Sequence, residues 1–161
     1  MSSQIAQLDK TGFWRQHSCL LHFQNTKLQK ITLKKADRFG LVFIDSPELP
    51  EVVEWFTHLL KGETLPFPLP LHLKVGPFQK QVLEKLQKIP LGETRSYKEI
   101  ACQLGRPGAA RAVGTACRIN PYPLVIPCHR VISSGGGLGG FAYGVAMKRR
   151  LLDFEDQIGS S

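Results

Sequence analysis

The chain has 161 residues, of which 42% are hydrophobic and 21% are charged, and its formal net charge is +8. This composition indicates one ordinary globular domain or two small ones, and it excludes an intrinsically disordered chain. The apolar runs are too short to cross a membrane, and the first residues lack the pattern of a secretory signal. We therefore expect a cytoplasmic protein, or a nuclear one in a eukaryote, whose four cysteines are free thiols.

The positive charge is concentrated in the second half of the chain. Residues 1–76 carry nine basic and seven acidic side chains, whereas residues 77–161 carry twelve and six. From Ile100 to Leu152 there is no acidic residue at all. A field of this sign favours a polyanion, with nucleic acid first and an anionic membrane second. A solvated basic face that only keeps the protein soluble is the alternative.

Alternating apolar and polar residues predict three short strands in the first half, at His17–Phe23, Lys27–Lys34 and Leu41–Ile44. Residues 25–26 and 37–40 have the composition of turns. We predict that the strands form a short antiparallel sheet.

A helix is predicted to follow, because Ser46 is a good N-cap residue and Pro47 suits the first helical position. Gly62 predicts its end. Its apolar face is predicted to comprise Val52, Trp55, Phe56, Leu59 and Leu60. Three prolines at residues 65–70 then predict an extended linker, so we expect a small α/β domain at residues 1–70.

Residues 71–161 are predicted to form a mainly α-helical domain. Ser96 and Glu99 have the spacing of a capping box, which predicts a helix start. A tight turn near Pro107 separates this helix from a helix rich in small residues at Ala109–Ile119. Two short helices joined in this way match a helix-turn-helix, although many core helix pairs share the pattern.

Two further helices and one loop complete the second half. Apolar residues at helical spacing predict a helix at residues 78–89 and a closing helix at Ala146–Phe154. Five glycines between Ser133 and Gly140 predict a loop.

The segment Pro127-Cys128-His129-Arg130-Val131 carries the clearest chemical signal. It follows the apolar run Leu124-Val125-Ile126 and precedes the glycine-rich loop. A thiol at the end of a stiff apolar segment, beside a base and a flexible loop, is typical of a nucleophile. A buried structural cysteine is the alternative.

Several motifs follow one another in an order that indicates one family. They are Ser96-Tyr97-x-x-Ile100-Ala101, Ala110-Arg111-Ala112-Val113-Gly114, Asn120-Pro121, Ile126-Pro127-Cys128-His129-Arg130-Val131, Lys148 and Leu151-Leu152-x-x-Glu155. Over roughly residues 77–155 the chain resembles the O6-alkylguanine-DNA alkyltransferases, also called methylated-DNA–protein-cysteine methyltransferases. The resemblance implies direct-reversal DNA repair, in which an alkyl group moves once from O6 of guanine to Cys128 without a cofactor. It implies double-stranded DNA containing O6-alkylguanine as the partner, and we expect a monomer.

The resemblance also implies roles for particular residues. The catalytic set is Cys128, His129, Glu155, Tyr97, Asn120 and Lys148. The DNA-binding set is Arg111, which fills the stack vacated by a flipped base, with Ala110, Ala112, Gly114, Tyr97 and Arg118. The substrate pocket is formed by Val131, Phe141, Ala142 and Tyr143.

Structural roles remain open beside these functional ones. Arg111 suits a phosphate contact, Tyr97 a core position and Asn120 a helix C-cap. Glu155 and Lys148 are also compatible with solvated surface charges. Arg130, inside the motif, is interpreted as an internal structural arginine.

The glycine-rich loop departs from the family pattern Gly-Tyr-x-Gly-Gly, because it reads Gly140-Phe141-Ala142-Tyr143-Gly144. We expect methylated guanine to be repaired while large adducts react poorly. His17, Cys19 and His22 match no strong zinc pattern, so no metal is expected. Two other functions stay open: a lesion sensor without alkyl transfer, and a Cys-His hydrolase on an unrelated fold.

Overall fold

The structure is a computed structural model that describes residue 12 and residues 14–37 and 40–159. These residues form two compact units. The first contains the described residues up to His72 together with those from Phe154 onward, and the second is Leu73–Asp153. The change of unit at His72 lies close to the predicted linker. The assignment of residues 71–161 to one functional domain stays a prediction.

The first unit contains a three-stranded sheet built from β1 (His17–Gln24), β2 (Lys27–Lys35) and β3 (Gly40–Ile44), in the order β2-β1-β3. β1 and β2 form an antiparallel hairpin whose turn residues Asn25 and Thr26 have φ angles of 49° and 64°. Positive φ at both central positions is the backbone of a tight hairpin turn, as the sequence predicted.

The prediction of an antiparallel sheet is wrong for β3, which pairs in parallel with β1, Ser18 opposite Gly40. β2 ends opposite His17, at the start of β1. The chain leaves β2 at that end of the sheet, so the next strand joins the free edge of β1 and runs in the direction of β1. The sheet is therefore mixed, and the unit is α/β.

α1 (Pro50–Leu60) follows the sheet and buries the predicted apolar residues. The predicted start at Ser46 is wrong. Leu49 precedes Pro50 and is extended, with φ −105° and ψ 110°, because a proline ring disfavours helical geometry in the residue before it. Pro50 occupies the helix start, where its missing N–H is not needed.

The second unit contains α2 (Pro77–Leu86), β4 (Arg95–Ser96), α3 (Tyr97–Gln103), α4 (Ala110–Arg118) and β5 (Val131–Ile132). α4 packs against both α2 and α3, and β4 pairs in parallel with β5.

The capping box at the start of α3 is confirmed. The Glu99 amide donates to Ser96 Oγ at 3.0 Å, and the Ser96 amide donates to Glu99 Oε2 at 2.6 Å. The sequence identified this helix start because the box depends on two side chains three residues apart.

The apolar run before Cys128 does not form a strand. Residues 122–130 are all buried, and Leu124 has a φ of 72°, which a β-strand does not contain. Cys128–Arg130 then form a single 3-10 turn before β5 begins. The cysteine therefore lies in a tight turn between a buried irregular segment and a short strand.

The closing helix, α5 (Val145–Gly159), is longer than predicted. No glycine or proline interrupts the residues between Phe154 and Gly159, so the helix continues through Glu155. No helix among the described residues is long and apolar enough to span a membrane.

Candidate active site

A cavity of about 630 Å³ in the second unit gathers most of the predicted site residues. α3, α4, the Cys128 turn and the glycine-rich loop each contribute to its wall. The predicted residues that line it are Tyr97, Ala110, Arg111, Gly114, Arg118, Cys128, Phe141 and Ala142. These residues lie up to 45 positions apart in the sequence, and the fold brings them into the wall of one cavity.

Cys128 lies at this cavity with 6% of its surface exposed. Burial raises the pKa of its thiol, although a hydrogen bond from Asn120, the positive charge of Lys148 and nearby backbone N–H groups act in the opposite direction. At neutral pH the thiol is therefore protonated, and its use as a nucleophile requires a base.

Asn120 fixes the segment that leads to Cys128. Its Nδ2 donates to the Ile126 carbonyl at 2.8 Å, and its Oδ1 accepts from the Tyr122 amide at 2.9 Å. Because its side chain also bonds to Cys128, one amide orients both the buried turn and the thiol.

Lys148 is fully buried, so the alternative of a solvated lysine is wrong. Its Nζ donates to the Val131 carbonyl at 2.5 Å, to the Gly140 carbonyl at 3.1 Å and to Tyr97 Oη at 3.3 Å. These three acceptors match the three N–H bonds of an ammonium group. Burial lowers the pKa of Lys148, whereas negative charge on Cys117 or Cys128 would raise it.

Tyr97 lies between Lys148 and the glycine-rich loop. Burial, followed by the effects of Cys117 and Cys128, raises the pKa of Tyr97 to about 12. Its hydroxyl is therefore a neutral hydrogen-bond donor at physiological pH. A Cβ atom at Gly139 would lie 2.7 Å from the tyrosine ring, and Gly139 has a φ of 71°, so this loop position requires glycine on two grounds.

His129 and Glu155 are both buried, with 1% and 4% of their surfaces exposed. His129 belongs to the second unit and Glu155 to the first. A relay between them stays a prediction. Arg130 is internal, as the sequence indicated, and its Nη1 donates to the Ile89 carbonyl at 2.7 Å.

α4 has a buried face and an exposed basic face. Val113 and Ala116 are fully buried, whereas Arg111 and Arg118 are exposed and line the cavity. Ala112 is exposed and lies outside the cavity wall as described. The cavity therefore has a thiol in its wall and two guanidinium groups beside it.

Phe141 and Tyr143, the residues of the glycine-rich loop that depart from the family pattern, are both aromatic. Phe141 and Tyr143 contact each other with ring centroids 5.6 Å apart. Phe141 and Ala142 line the cavity, but Tyr143 and Val131 are not among its described lining residues. Val131 is fully buried and contributes its carbonyl to Lys148.

Cys117 lines the cavity together with Cys128, and the sequence analysis did not assign it to the site; Thr115 and Ser133 are further lining residues of this kind. Ala110, Gly114 and Cys117 recur at intervals of four and three residues along α4, which places them on one helix face. This periodicity is the sequence signal from which Cys117 could have been assigned to the same cavity as Ala110 and Gly114.

The described residues contain no group of three or more His, Cys, Asp or Glu side chains placed to hold a metal ion. His22 Nε2 lies 3.0 Å from Thr32 Oγ1, and Cys19 is fully buried in β1.

The family model described as 6-O-methylguanine DNA methyltransferase, DNA binding domain, matches residues 77–157. A methylated-DNA–protein-cysteine methyltransferase of Mycolicibacterium paratuberculosis is 50% identical over 103 residues, which cover 64% of this chain and 62% of that protein. A probable methylated-DNA–protein-cysteine methyltransferase of Acanthamoeba polyphaga mimivirus is 43% identical over 120 residues, which cover 72% of this chain and 80% of that protein. The matched region thus spans about three fifths of the first of these relatives.

Solved structures agree with this match. The crystal structure of Mycobacterium tuberculosis OGT in complex with DNA has a TM-score of 0.71 and 35% identity, covering 88% of this chain and 93% of that one. The O6-methylguanine-DNA methyltransferase from Pyrococcus kodakaraensis has a TM-score of 0.65 and 26% identity, covering 86% and 98%. With half of its residues matched by the family model and this fold in common, the chain belongs to the 6-O-methylguanine DNA methyltransferase family.

Proposed function

We propose that the protein repairs alkylated DNA by transferring an alkyl group, in the first place methyl, from O6 of guanine to Cys128. The observation that carries this proposal is the cavity that combines the Cys128 thiol with the exposed guanidinium groups of Arg111 and Arg118. A thiol supplies the acceptor, and the positive charge supplies affinity for a phosphate backbone. The names of its relatives and the DNA-bound Mycobacterium tuberculosis structure support the same activity.

The reaction begins with removal of the Cys128 proton, because burial keeps this thiol protonated. His129, its neighbour in the chain, is the proposed base, acting through a water molecule. Glu155 is proposed to stabilise the resulting imidazolium. The thiolate then attacks the alkyl carbon, so that an S–C bond forms while the C–O6 bond breaks.

The departing guanine gains the electron pair of the broken bond and needs a hydrogen-bond donor or a proton. Tyr97 is the proposed donor, since its hydroxyl is neutral and its position is fixed by Lys148. The thioether product is stable, and no group in the proposed reaction releases it. Each chain therefore acts once and needs no cofactor.

DNA recognition is proposed to use α3 and α4 as a helix-turn-helix. A base inside a duplex is out of reach of a thiol in a cavity wall, so the damaged guanine must be flipped out. Arg111 is proposed to enter the vacated stack. The small residues Ala110, Ala112 and Gly114 allow the backbone of α4 to approach the minor groove closely.

Incubation with duplex DNA containing O6-methylguanine, followed by intact-mass measurement, tests the proposal. One methyl group should be gained per chain, and peptide mapping should place it on Cys128. Cys128→Ala should gain none, while Cys102→Ser, a matched change at an exposed cysteine, should gain one. A wild-type chain that binds this DNA without gaining mass would contradict the proposed transfer.

A lesion sensor is the second candidate, and the aromatic loop favours it. Phe141 lies in the cavity wall and contacts Tyr143, which stands where the family pattern has a glycine, so we expect less space for a reacting base. Tight DNA binding without mass gain would establish the sensor. The alternative of a Cys-His hydrolase on an unrelated fold is wrong, because the chain shares the fold of the methyltransferase structures.

The loop also carries a proposal on substrate range. Methyl adducts should react, whereas benzyl adducts should react poorly because they need space beside Phe141. Cytoplasmic or nuclear location and a monomeric state remain predictions, to be tested by cell fractionation and by sedimentation.

A further inference from the structure

Cys117 and Cys128 are two thiols in the wall of one cavity. Cys117 lies in the last turn of α4, and Cys128 lies in the 3-10 turn eleven residues further along. Both are reduced in the structure. The proposed methyl transfer uses only Cys128, so the second thiol has no assigned role.

Asn120 connects the two cysteines. Its backbone N–H donates to the Cys117 carbonyl at 3.3 Å, and its side chain bonds to Cys128. One residue thus contacts both the end of α4 and the proposed nucleophile. Tyr97 lines the same cavity as both cysteines, and negative charge on either sulfur atom would raise the pKa of Tyr97 and of Lys148.

The remaining cysteines do not share this arrangement. Cys19 is buried in β1 of the first unit, and Cys102 is exposed on α3, where it lines a different cavity. Within the cavity that holds Cys128, Cys117 is the one further cysteine among the described lining residues.

We infer that Cys117 is a resolving thiol, which captures Cys128 as an intramolecular disulfide after Cys128 has reacted with a hydroperoxide. In the first step the Cys128 thiolate attacks one oxygen of the hydroperoxide, the O–O bond breaks, and a sulfenic acid forms. The other oxygen leaves with the electron pair and is protonated, giving water when the oxidant is hydrogen peroxide.

In the second step the Cys117 sulfur attacks the Cys128 sulfur. An S–S bond forms, the S–O bond breaks, and the leaving hydroxide takes the Cys117 proton and becomes water. Burial raises the pKa of Cys117 to about 12, so this proton is present until the step takes place. Overall two thiols lose two electrons and two protons, and one hydrogen peroxide becomes two waters. The disulfide blocks the methyl acceptor but is restored by thiols, whereas sulfinic and sulfonic acids are not.

This inference is tested without DNA, so its outcome is independent of the methyl-transfer proposal. The reduced full chain is treated with an excess of hydrogen peroxide, remaining thiols are capped with N-ethylmaleimide, and the digest is mapped by mass spectrometry. We expect a peptide that links Cys117 to Cys128 within one chain, with the loss of two hydrogens. Dithiothreitol should remove the link.

Cys117→Ser and Cys102→Ser provide the matched variants. In Cys117→Ser we expect Cys128 to accumulate as sulfinic and sulfonic acid that dithiothreitol does not reverse. In Cys102→Ser the link between Cys117 and Cys128 should form as in the wild type. Circular dichroism checks that each variant is folded.

The wild-type digest alone can overturn the inference, whatever the variants do. Over-oxidised Cys128 beside capped, unlinked Cys117 would show that the two sulfur atoms do not meet. A link between two chains, or one that joins Cys128 to Cys102, would also contradict it.

Discussion

The strand around Cys19 and the turn around Cys128 bury their thiols to similar degrees, with 0% and 6% of each residue exposed. Burial raises the pKa of both. For Cys19, burial is the only cause of the shift, whereas at Cys128 a hydrogen bond from Asn120 and the charge of Lys148 oppose it. A buried cysteine thus becomes a candidate nucleophile through the polar groups around it.

The largest expected difference between the two regions is in reaction with a small electrophile. Cys19 should react with iodoacetamide about a thousandfold more slowly than Cys128 in the native protein. A fully buried thiol needs global opening, and a domain stable by about 5 kcal/mol is open in only about one molecule in several thousand. Peptide mapping of a labelling time course measures both rates, with exposed Cys102 as reference. Similar labelling rates for Cys19 and Cys128 would mean that the surroundings of Cys128 do not make it more reactive than a buried core cysteine.

The next effect concerns pH. The pKa of Cys128 lies above the ordinary value of 9.0, and only the thiolate reacts. The labelling rate of Cys128 in free protein should therefore rise about tenfold per pH unit from pH 7 to 9. Quenched-flow or manual labelling at fixed ionic strength measures this profile. A plateau below pH 8 would mean that the polar groups outweigh burial.

Lys148→Met removes the buried charge that acts on Cys128, and it therefore tests whether this charge distinguishes Cys128 from Cys19. The Val131 and Gly140 carbonyls would each lose a donor. We expect the free energy of unfolding to fall by about 2–4 kcal/mol. Labelling of Cys128 should also slow at neutral pH, because the ammonium favours the thiolate. Urea unfolding and labelling measure the two effects. Lys98→Met, at an exposed position of α3, is the control and should change the free energy of unfolding by less than about 0.5 kcal/mol.

Cys19→Ala gives the smallest effect. Removing a sulfur atom from a packed core should lower the free energy of unfolding by about 1–2 kcal/mol. We assign Cys19 a structural role because it is fully buried in β1 of the first unit, so acceptance of a methyl group from DNA should be unchanged. Denaturant unfolding and the intact-mass assay measure both. A loss of methyl acceptance in a folded Cys19→Ala chain would contradict that structural role.

Local signals in the sequence located several features correctly. The capping box at Ser96 and Glu99 depends on two side chains three residues apart, and the turn at Asn25 and Thr26 depends on a few neighbours. The apolar stripe of α1 follows the helical period and is buried as that period predicts. Such features are visible because their causes lie within one or two turns of chain.

Features set by distant contacts were not predictable in the same way. The parallel pairing of β3 depends on which edge of β1 is free. The start of α1 at Pro50 instead of Ser46 is different, because its cause, the effect of the Pro50 ring on Leu49, is local and could have been predicted. The positive φ of Leu124 occurs in a segment whose residues 122–130 are all buried, and no turn residue in the sequence marks it.

The sequence alone determined the membership of the family and the basic character of the second half, and it singled out Cys128 as the proposed acceptor, because motif order and charge are properties of the chain itself. Only the tertiary structure decided what surrounds that thiol. It buries Lys148 against two carbonyls and Tyr97, and it brings Cys117 to the cavity of Cys128. Burial and proximity are properties of packing between distant segments, so no single stretch of sequence contains them.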